Sequence, residues 1–357
     1  MRAAPLWEKN AILTNVLPVP ARDPATIDHH ADAPGMHEGI VLRVDSGQFI
    51  VHADIEKNNH PRRVPCTLRG NLRKNLTYST SGSQPRRVMK AKRPINTDVV
   101  AVGDHVRFSS TDSQSGVIEE VFPRDSRFAR SSFRGREQTL VTNLDQLVIV
   151  FACAEPNPDL WRLDRWLASA ESTGIEPLII ANKRDRVDAE TFAQRFDEFS
   201  RIGYRVIETS AKANIGIDAL RAELRDRISA FTGPSGVGKS SLLNSLQPGL
   251  KLATGEIGEV TFKGKHTTTV RELIPLESGG WVADTPGLRQ LDLLSMTREE
   301  LLDCFVEFRP FLDTPCRFRN CRHINEPDCN LKAAAASGQI SSRRYASFLA
   351  LAAETKG

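Results

Sequence analysis

Gly233-Pro-Ser-Gly-Val-Gly-Lys-Ser-Ser241 constrains this chain more than any other stretch. It fits G-x-x-x-x-G-K-[ST], a loop that leaves a strand and opens a helix with its backbone N–H groups turned inward on phosphates. The flanks agree. Ile228-Ser-Ala-Phe-Thr232 can form a buried strand, and Leu242, Leu243 and Leu246 recur at helical spacing. In this reading Gly233, Pro234, Ser235, Gly236, Val237 and Gly238 wrap the phosphates and Ser241 follows in the helix. Lys239 reaches the β- and γ-phosphates, and Ser240 ligates Mg²⁺.

A chain of 357 residues with a net charge of +4 suits two or three domains, each able to bury a core. No apolar run approaches the ~20 residues of a membrane span, so no membrane partner and a cytoplasmic location are expected. Residues 1–35 are polar, lack a signal-peptide core and read as a disordered extension. The charge is uneven: from Lys57 to Arg93 there are eleven Lys and Arg and no Asp or Glu. A solvated face is the usual meaning of a charge run, but one so pure points to a polyanion, nucleic acid first.

Six strand-like runs lie between Gly39 and Phe122, namely 39–44, 48–52, 64–68, 99–102, 105–108 and 116–122, with turn residues between them. With a basic middle they predict a small β-barrel of the oligonucleotide-binding (OB) type. The Ser-, Pro- and Arg-rich stretch 75–97 reads as an insertion on it.

Beyond Pro123 strands alternate with helices. Gln146–Ala152 and Glu176–Ala181 are near-continuous apolar runs, as for strands covered on both faces. The helix between them has Trp161, Leu163, Trp166, Leu167 and Ala170 as its apolar positions. These elements predict a doubly wound parallel sheet, an α/β P-loop domain. From Thr297 the chain turns helical and ends in an Ala-rich helix from Asp328 to Ala353.

Asn182-Lys183-Arg-Asp185 follows an apolar strand and fits N-K-x-D. The Asp carboxylate accepts two hydrogen bonds from guanine N1–H and N2–H₂, the Asn amide meets the far side of the base, and the Lys stem lies over the ring. Adenine lacks that double donor, which disfavours an ATP-using kinase. Ser210-Ala211-Lys212 after the next strand offers a backbone N–H for guanine O6. Asp284-Thr-Pro-Gly287 has the D-x-x-G form, with Asp284 toward Mg²⁺ and Gly287 toward the γ-phosphate. Thr267-Thr-Thr269 supplies the switch threonine, Thr268 first, also toward Mg²⁺.

The order is inverted relative to a Ras-like domain, where N-K-x-D and S-A-K come last. Joining the old ends and opening the chain elsewhere would give this order, a circular permutation. The segment after Gly287 then runs directly into the C-terminal part, so loss of the γ-phosphate is expected to shift that part relative to the barrel. Leu288 stands where Ras-type domains carry a water-orienting Gln, and His266 is the best in-chain substitute. Lys239, Thr268 and His266 are thus the candidate catalytic residues.

Cys316-x4-Cys321-x-His323-x5-Cys329 places three thiols and an imidazole within fourteen residues, a closed Cys₃His set suited to one structural Zn²⁺. Cys66, Cys153 and Cys304 sit in apolar runs as core residues.

Together these residues resemble the circularly permuted RsgA (YjeQ) GTPases of small-ribosomal-subunit biogenesis. The likeness runs from about Met36 to the C-terminus. It rests on the permuted order, Gly233–Ser241, Gly264-Lys-His-Thr-Thr-Thr269, Asp284–Gly287 and the cysteine spacing, with Arg69-Gly-Asn-Leu-Arg73 and Val102-Gly-Asp104 in the barrel. The resemblance implies an OB-fold barrel (36–125), a permuted GTPase domain (126–295) and a helical zinc-binding domain (296–357). It also implies GTP hydrolysis to GDP stimulated by the small ribosomal subunit, contact of barrel and zinc domain with its rRNA, a catalytic His266 and a monomer. The N-terminal extension, the basic insertion at Asn75–Thr97 and the lead Asp226-Arg-Ile-Ser-Ala-Phe-Thr232 depart from the family pattern. An RNA scaffold that binds guanine nucleotide with little turnover is the competing expectation.

Overall fold

The computed structural model describes residues 35–45, 47–53, 62–70, 72, 75–78, 88–92, 99–110, 115–131, 137–250, 272–284 and 296–355. Strands β1 (Met36–Asp45), β2 (Gln48–Ala53) and β3 (Arg62–Leu68) run as an antiparallel meander. A separate hairpin follows, β4 (Asn75–Tyr78) with β5 (Val88–Lys92), so the ends of the expected insertion pair with each other. Strands β6 (His105–Ser110) and β7 (Gly116–Val121) complete the barrel: β7 lies parallel to β3, and β6 pairs back onto β1. Five strands closed in the order β1-β2-β3-β7-β6-β1 form the OB-like barrel. Alternating side chains such as Val41, Phe49, Val51, Val106, Phe108 and Ile118 point inward and fill it.

The run 99–102 is not a strand. Val100, Ala101 and Val102 are buried, but they lead into a turn at Gly103, whose φ is 91°. A Cβ there would lie 2.1 Å from the Thr142 carbonyl oxygen, so only glycine lets the two backbones meet. Asp104, fully buried, is the hub of this turn. Its carboxylate accepts from Ala101 N at 2.7 Å, from Thr142 Oγ1 at 2.7 Å, and from Arg124 at 2.7 and 2.8 Å. The Val102-Gly-Asp104 motif therefore ties the barrel to the hairpin β8 (Arg127–Ser131)–β9 (Glu137–Thr142) that follows it.

The second layer contains β10 (Gln146–Ala152), α1 (Leu160–Thr173), β11 (Glu176–Asn182), α2 (Ala189–Arg201) and β12 (Arg205–Glu208). Then come α3 (Ile217–Leu224), β13 (Ile228–Thr232), α4 (Lys239–Leu246), β14 (Glu272–Pro275) and β15 (Trp281–Asp284). The sheet order is β12-β11-β10-β13-β15-β14. Every neighbouring pair is parallel except β14, which runs antiparallel to β15, a correction to the all-parallel expectation. Only residues 225–227 separate α3 from β13, so the join required by a permuted order is a short turn. β14 also pairs antiparallel with β1, Arg43 opposite Glu272, which makes barrel and α/β sheet continuous. Ile40 and Leu42 of the barrel share one apolar cluster with Leu273, Ala283 and Ile228.

α1 starts at Asp159, which accepts from Arg162 N at 3.2 Å, and stops at Gly174 with φ 70°. It buries Leu163, Trp166, Leu167 and Ala170 as expected, but Trp161 is 46% exposed and Asp164 is fully buried.

The C-terminal part holds α5 (Arg298–Asp303), α6 (Arg309–Leu312), α7 (Asn330–Ala336) and α8 (Ser342–Glu354). The single Ala-rich helix of the sequence reading is two: Gly338 turns the chain at φ 77°, and Ser341 caps α8 by accepting from Arg344 N. Phe305, Phe308 and Phe348 pack with centroids 4.9–5.6 Å apart and reach Ala168 of α1. Among the described residues no helix is long and apolar enough to cross a membrane.

Candidate nucleotide site and metal centre

Because β10, β11, β12, β13 and β15 are parallel, their C-terminal ends gather along one edge, where ligands of such sheets bind. The phosphate loop leaves β13 at Gly233 (φ 143°), where a Cβ would lie 2.2 Å from the Val150 carbonyl oxygen. It turns again at Gly238 (φ 98°), where a Cβ would meet Asn182 Nδ2 at 2.4 Å. These two glycines let the loop sit tightly on β10 and on the Asn182 end of β11. Lys239 opens α4 and donates to the carbonyls of Gly233 and Pro234 at 2.8 and 2.7 Å, so its ammonium lies across the loop. Ser235 and Gly236 are exposed, and Ser240 is half-buried beside Lys239.

Asn182 closes β11 and is 1% exposed. Its Nδ2 donates to the Val237 carbonyl at 2.8 Å, and its Oδ1 accepts from Thr209 Oγ1 at 3.3 Å. The amide thus joins the end of β11 to the loop that follows β13. Lys183 follows with φ 59°, and a single 3₁₀ turn, Arg184–Arg186, lifts Asp185 into solvent. Burial holds the Lys183 ammonium below its usual pKa, and the nearby Asp185 partly offsets this. Ser210, 1% exposed, donates from Oγ to Asp185 Oδ1 at 2.5 Å and accepts from Ala213 N at 3.0 Å. Its own N–H goes to the Ile215 carbonyl at 2.9 Å and is therefore already engaged.

The loop after β10 was missed in the sequence. Cys153 N donates to the Asn182 carbonyl at 2.7 Å, Lys183 Nζ donates to the Glu155 carbonyl, and Arg186 pairs with the Glu155 carboxylate. Pro156 is the nearest neighbour of a Cβ at Gly236, at 3.8 Å. Residues 153–156 therefore fill the space between base loop and phosphate loop. Their only signal was a pair of prolines, Pro156 and Pro158, just past an apolar strand. Asp284 ends β15 opposite Glu272, which puts its backbone at the same sheet edge. His266, Thr268, Gly287 and Leu288 lie outside the described residues.

In the C-terminal part the structure brings Cys316, Cys321, His323 and Cys329 together, with all four ligand atoms within 4.8 Å of one another. His323 Nδ1 lies 3.7, 3.7 and 3.3 Å from the three sulfurs in chain order. Tetrahedral zinc, with bonds of about 2.3 Å to sulfur and 2.0 Å to nitrogen, sets N–S separations of about 3.5 Å, so the donor set fits it. His323 takes φ 59°, and its carbonyl accepts from Tyr345 OH of α8 at 2.5 Å. Glu326 accepts from the backbone N–H groups of Arg322, Ile324 and Asn325 at 3.0, 3.0 and 3.1 Å, which pull its carboxyl down to about 2.

A family model described as RsgA GTPase matches residues 121–294. A small ribosomal subunit biogenesis GTPase RsgA from Moorella thermoacetica is 40% identical over 317 residues, covering 89% of this chain and 97% of that protein. The protein of that name from Alkaliphilus metalliredigens is 42% identical over 257 residues, covering 71% and 85%. Among solved structures, YjeQ from Thermotoga maritima matches with a TM-score of 0.68 at 31% identity, covering 89% of this chain and 98% of that one. YloQ, described as a circularly permuted GTPase, matches with a TM-score of 0.66 at 28% identity, covering 91% and 96%.

Proposed function

This chain belongs to the RsgA GTPase family, and from that membership we propose that it hydrolyses GTP as a late maturation factor of the small ribosomal subunit. The observation that carries the reading is the Asn182 amide donating to the Val237 carbonyl, which joins the N-K-x-D loop to the G-x-x-x-x-G-K-S loop across one sheet edge. GTP would lie along that edge, its base against Asn182, Lys183 and Asp185 and its phosphates on residues 233–241. Ser240, Thr268 and Asp284 would hold the Mg²⁺, which offsets charge on the phosphates as it builds in the transition state. Lys239 leaves the loop carbonyls for the phosphates, so the loop supplies its N–H groups and the ammonium together. His266 would orient the attacking water, with Leu288 excluding a glutamine from that task. Barrel and zinc domain would grip rRNA, and the division near residues 125 and 295 belongs to this proposal.

The test is GTP turnover by the purified protein, alone and with purified small or large subunits. Stimulation by the small subunit alone, by about a hundredfold or more and lost in Ser240→Ala and His266→Ala, is expected. Turnover that no ribosomal particle alters would defeat the reading.

The four-residue metal set would hold one zinc ion, whose charge keeps the thiols ionised and the knuckle closed. With a chelator present, thiol titration of the otherwise native protein is expected to find Cys316, Cys321 and Cys329 reactive. Cys66, Cys153 and Cys304 stay silent, since each is buried inside an apolar cluster of the folded protein that chelation leaves closed. Three reactive thiols before chelation would speak against a bound metal.

A further inference from the structure

The loop between the metal-ligating residues carries chemistry that ligation does not use. Phe318 is 42% exposed, one of three large apolar side chains so exposed among the described residues, with Trp161 and Ile215. Trp161 and Ile215 stand on ordinary helix and turn surface. Phe318 stands in a loop whose shape is imposed from several sides. Cys316 and Cys321 bracket it, Cys321 N donates back to the Phe318 carbonyl at 3.1 Å, and Glu326 pins the loop end at Arg322 N. A short loop so braced pays little entropy to present its ring to a ligand.

The ring also has a cationic setting. The Arg317 guanidinium lies over it, 5.7 Å from the centroid, and is itself held by Asp328 at 2.6 Å. Arg319 and Arg322 are exposed, and no carboxylate among the described residues forms an ion pair with either. The barrel arginines that are described behave differently: Arg43, Arg63, Arg69 and Arg107 all meet acidic partners. Unpaired guanidinium groups beside an exposed aromatic face combine the two contacts that single-stranded nucleic acid needs, phosphate attraction and base stacking.

We propose that the 317–322 loop binds an unpaired RNA nucleotide, with Phe318 stacking on the base and Arg319 and Arg322 on its flanking phosphates. This rests on the functional reading above and deepens it from contact with rRNA to capture of an unstacked base. A base within a helix has both faces covered, so duplex RNA is a poor ligand for this ring.

The full zinc-loaded chain is titrated with a short labelled oligoadenylate, with the same RNA in duplex form, and with heparin, a polyanion without bases. Phe318→Ala is expected to weaken single-strand binding about tenfold and to leave heparin binding unchanged, while Phe318→Tyr binds as the parent does. Arg319→Ala weakens both ligands, with a shallower salt dependence. Phe318→Leu, which keeps an apolar side chain, should match Phe318→Ala, and zinc content reports that each variant keeps its knuckle. Single-strand binding by Phe318→Ala equal to the parent's, or an equal loss toward heparin, overturns the proposal. The same preparations are assayed with small subunits: a parent protein they do not stimulate defeats the functional reading. Normal stimulation with unchanged binding by Phe318→Ala defeats this inference alone.

Discussion

Asp185→Asn is expected to weaken GDP binding by about three orders of magnitude or more and to confer binding of xanthosine diphosphate. The Asp185 carboxylate is exposed at the end of β11, with Ser210 Oγ donating to one of its oxygens at 2.5 Å. Guanine presents two donors, N1–H and N2–H₂, and a carboxylate accepts both. An amide in the same place keeps one acceptor and gains a donor, which faces the guanine amino group and leaves it unsatisfied. Xanthine has an oxygen at that position and accepts the new donor instead. The variant should fold normally, because the Ser210 hydroxyl can donate to an amide oxygen as it does to a carboxylate. Calorimetric titration with GDP, xanthosine diphosphate and ADP checks this, and an unchanged order of preference would mean that Asp185 does not face the base.

The second large effect is expected at Asp164. It is fully buried on α1 and accepts from Arg343 at 2.6 Å and from Arg344 at 2.7 Å, both on α8. Glu307 takes the other edge of the Arg344 guanidinium at 2.6 and 3.0 Å, and Glu198 of α2 takes Arg343 at 2.8 Å. Arg344 is 1% exposed and also lies 4.4 Å from the Phe305 ring centroid. Alanine at 164 leaves a buried guanidinium short of a partner, at a cost of about 3–5 kcal/mol. Since the network joins α8 to α1 and α2, the C-terminal part should undock before the central sheet unfolds. Limited proteolysis within 296–355 and hydrogen exchange of α8 should rise sharply, and Asp164→Asn should recover part of the loss. Exchange of α8 equal to the parent's would show that the contact does not depend on Asp164, the aromatic cluster and the remaining ion pairs of Glu198, Glu171 and Glu354 sufficing. The network also bears on the expected motion after γ-phosphate loss: a C-terminal part docked this way moves with α1 unless these ion pairs break.

The closeness of the two motif loops at one sheet edge was legible because glycine at their turns has no substitute. Gly233 and Gly238 are forced by the approach of Val150 and Asn182, so their positions carry tertiary information in local sequence. The cysteine cluster was legible for a similar reason, since four ligands to one ion leave a fixed pattern. Asp164 was not legible. An acid one residue past Leu163 reads as the wet face of α1, and only partners on α8 explain its burial. Trp161 erred the other way, as an apolar residue on the periodic stripe that the first turn of α1 leaves outside. The run 99–102 carries strand-like residues, but Asp104 and Gly103 turn it toward Thr142, a contact no local pattern announces. The base-loop packing of Glu155 and Pro156 depends on backbone carbonyls, which every residue has, and so leaves no mark in side-chain identity.

The pairing of β1 with β14 acquires a different meaning when the chain is considered as it is made. Synthesis delivers the barrel strands first and the strand that covers their outer edge more than two hundred residues later, as Arg43 must wait for Glu272. The centre of the α/β sheet is late too, because β13 adds to the edge of β10 only after β10, β11 and β12 have emerged, and β15 and β14 follow onto it. A nascent chain halted before β13 therefore has two open strand edges and an unfilled gap between them, the condition that invites misassembly and chaperone capture. Permutation has moved residues 233–241 behind the N-K-x-D half of the sheet, so a translation product interrupted before β13 lacks that loop altogether and lacks the strands that join sheet to barrel.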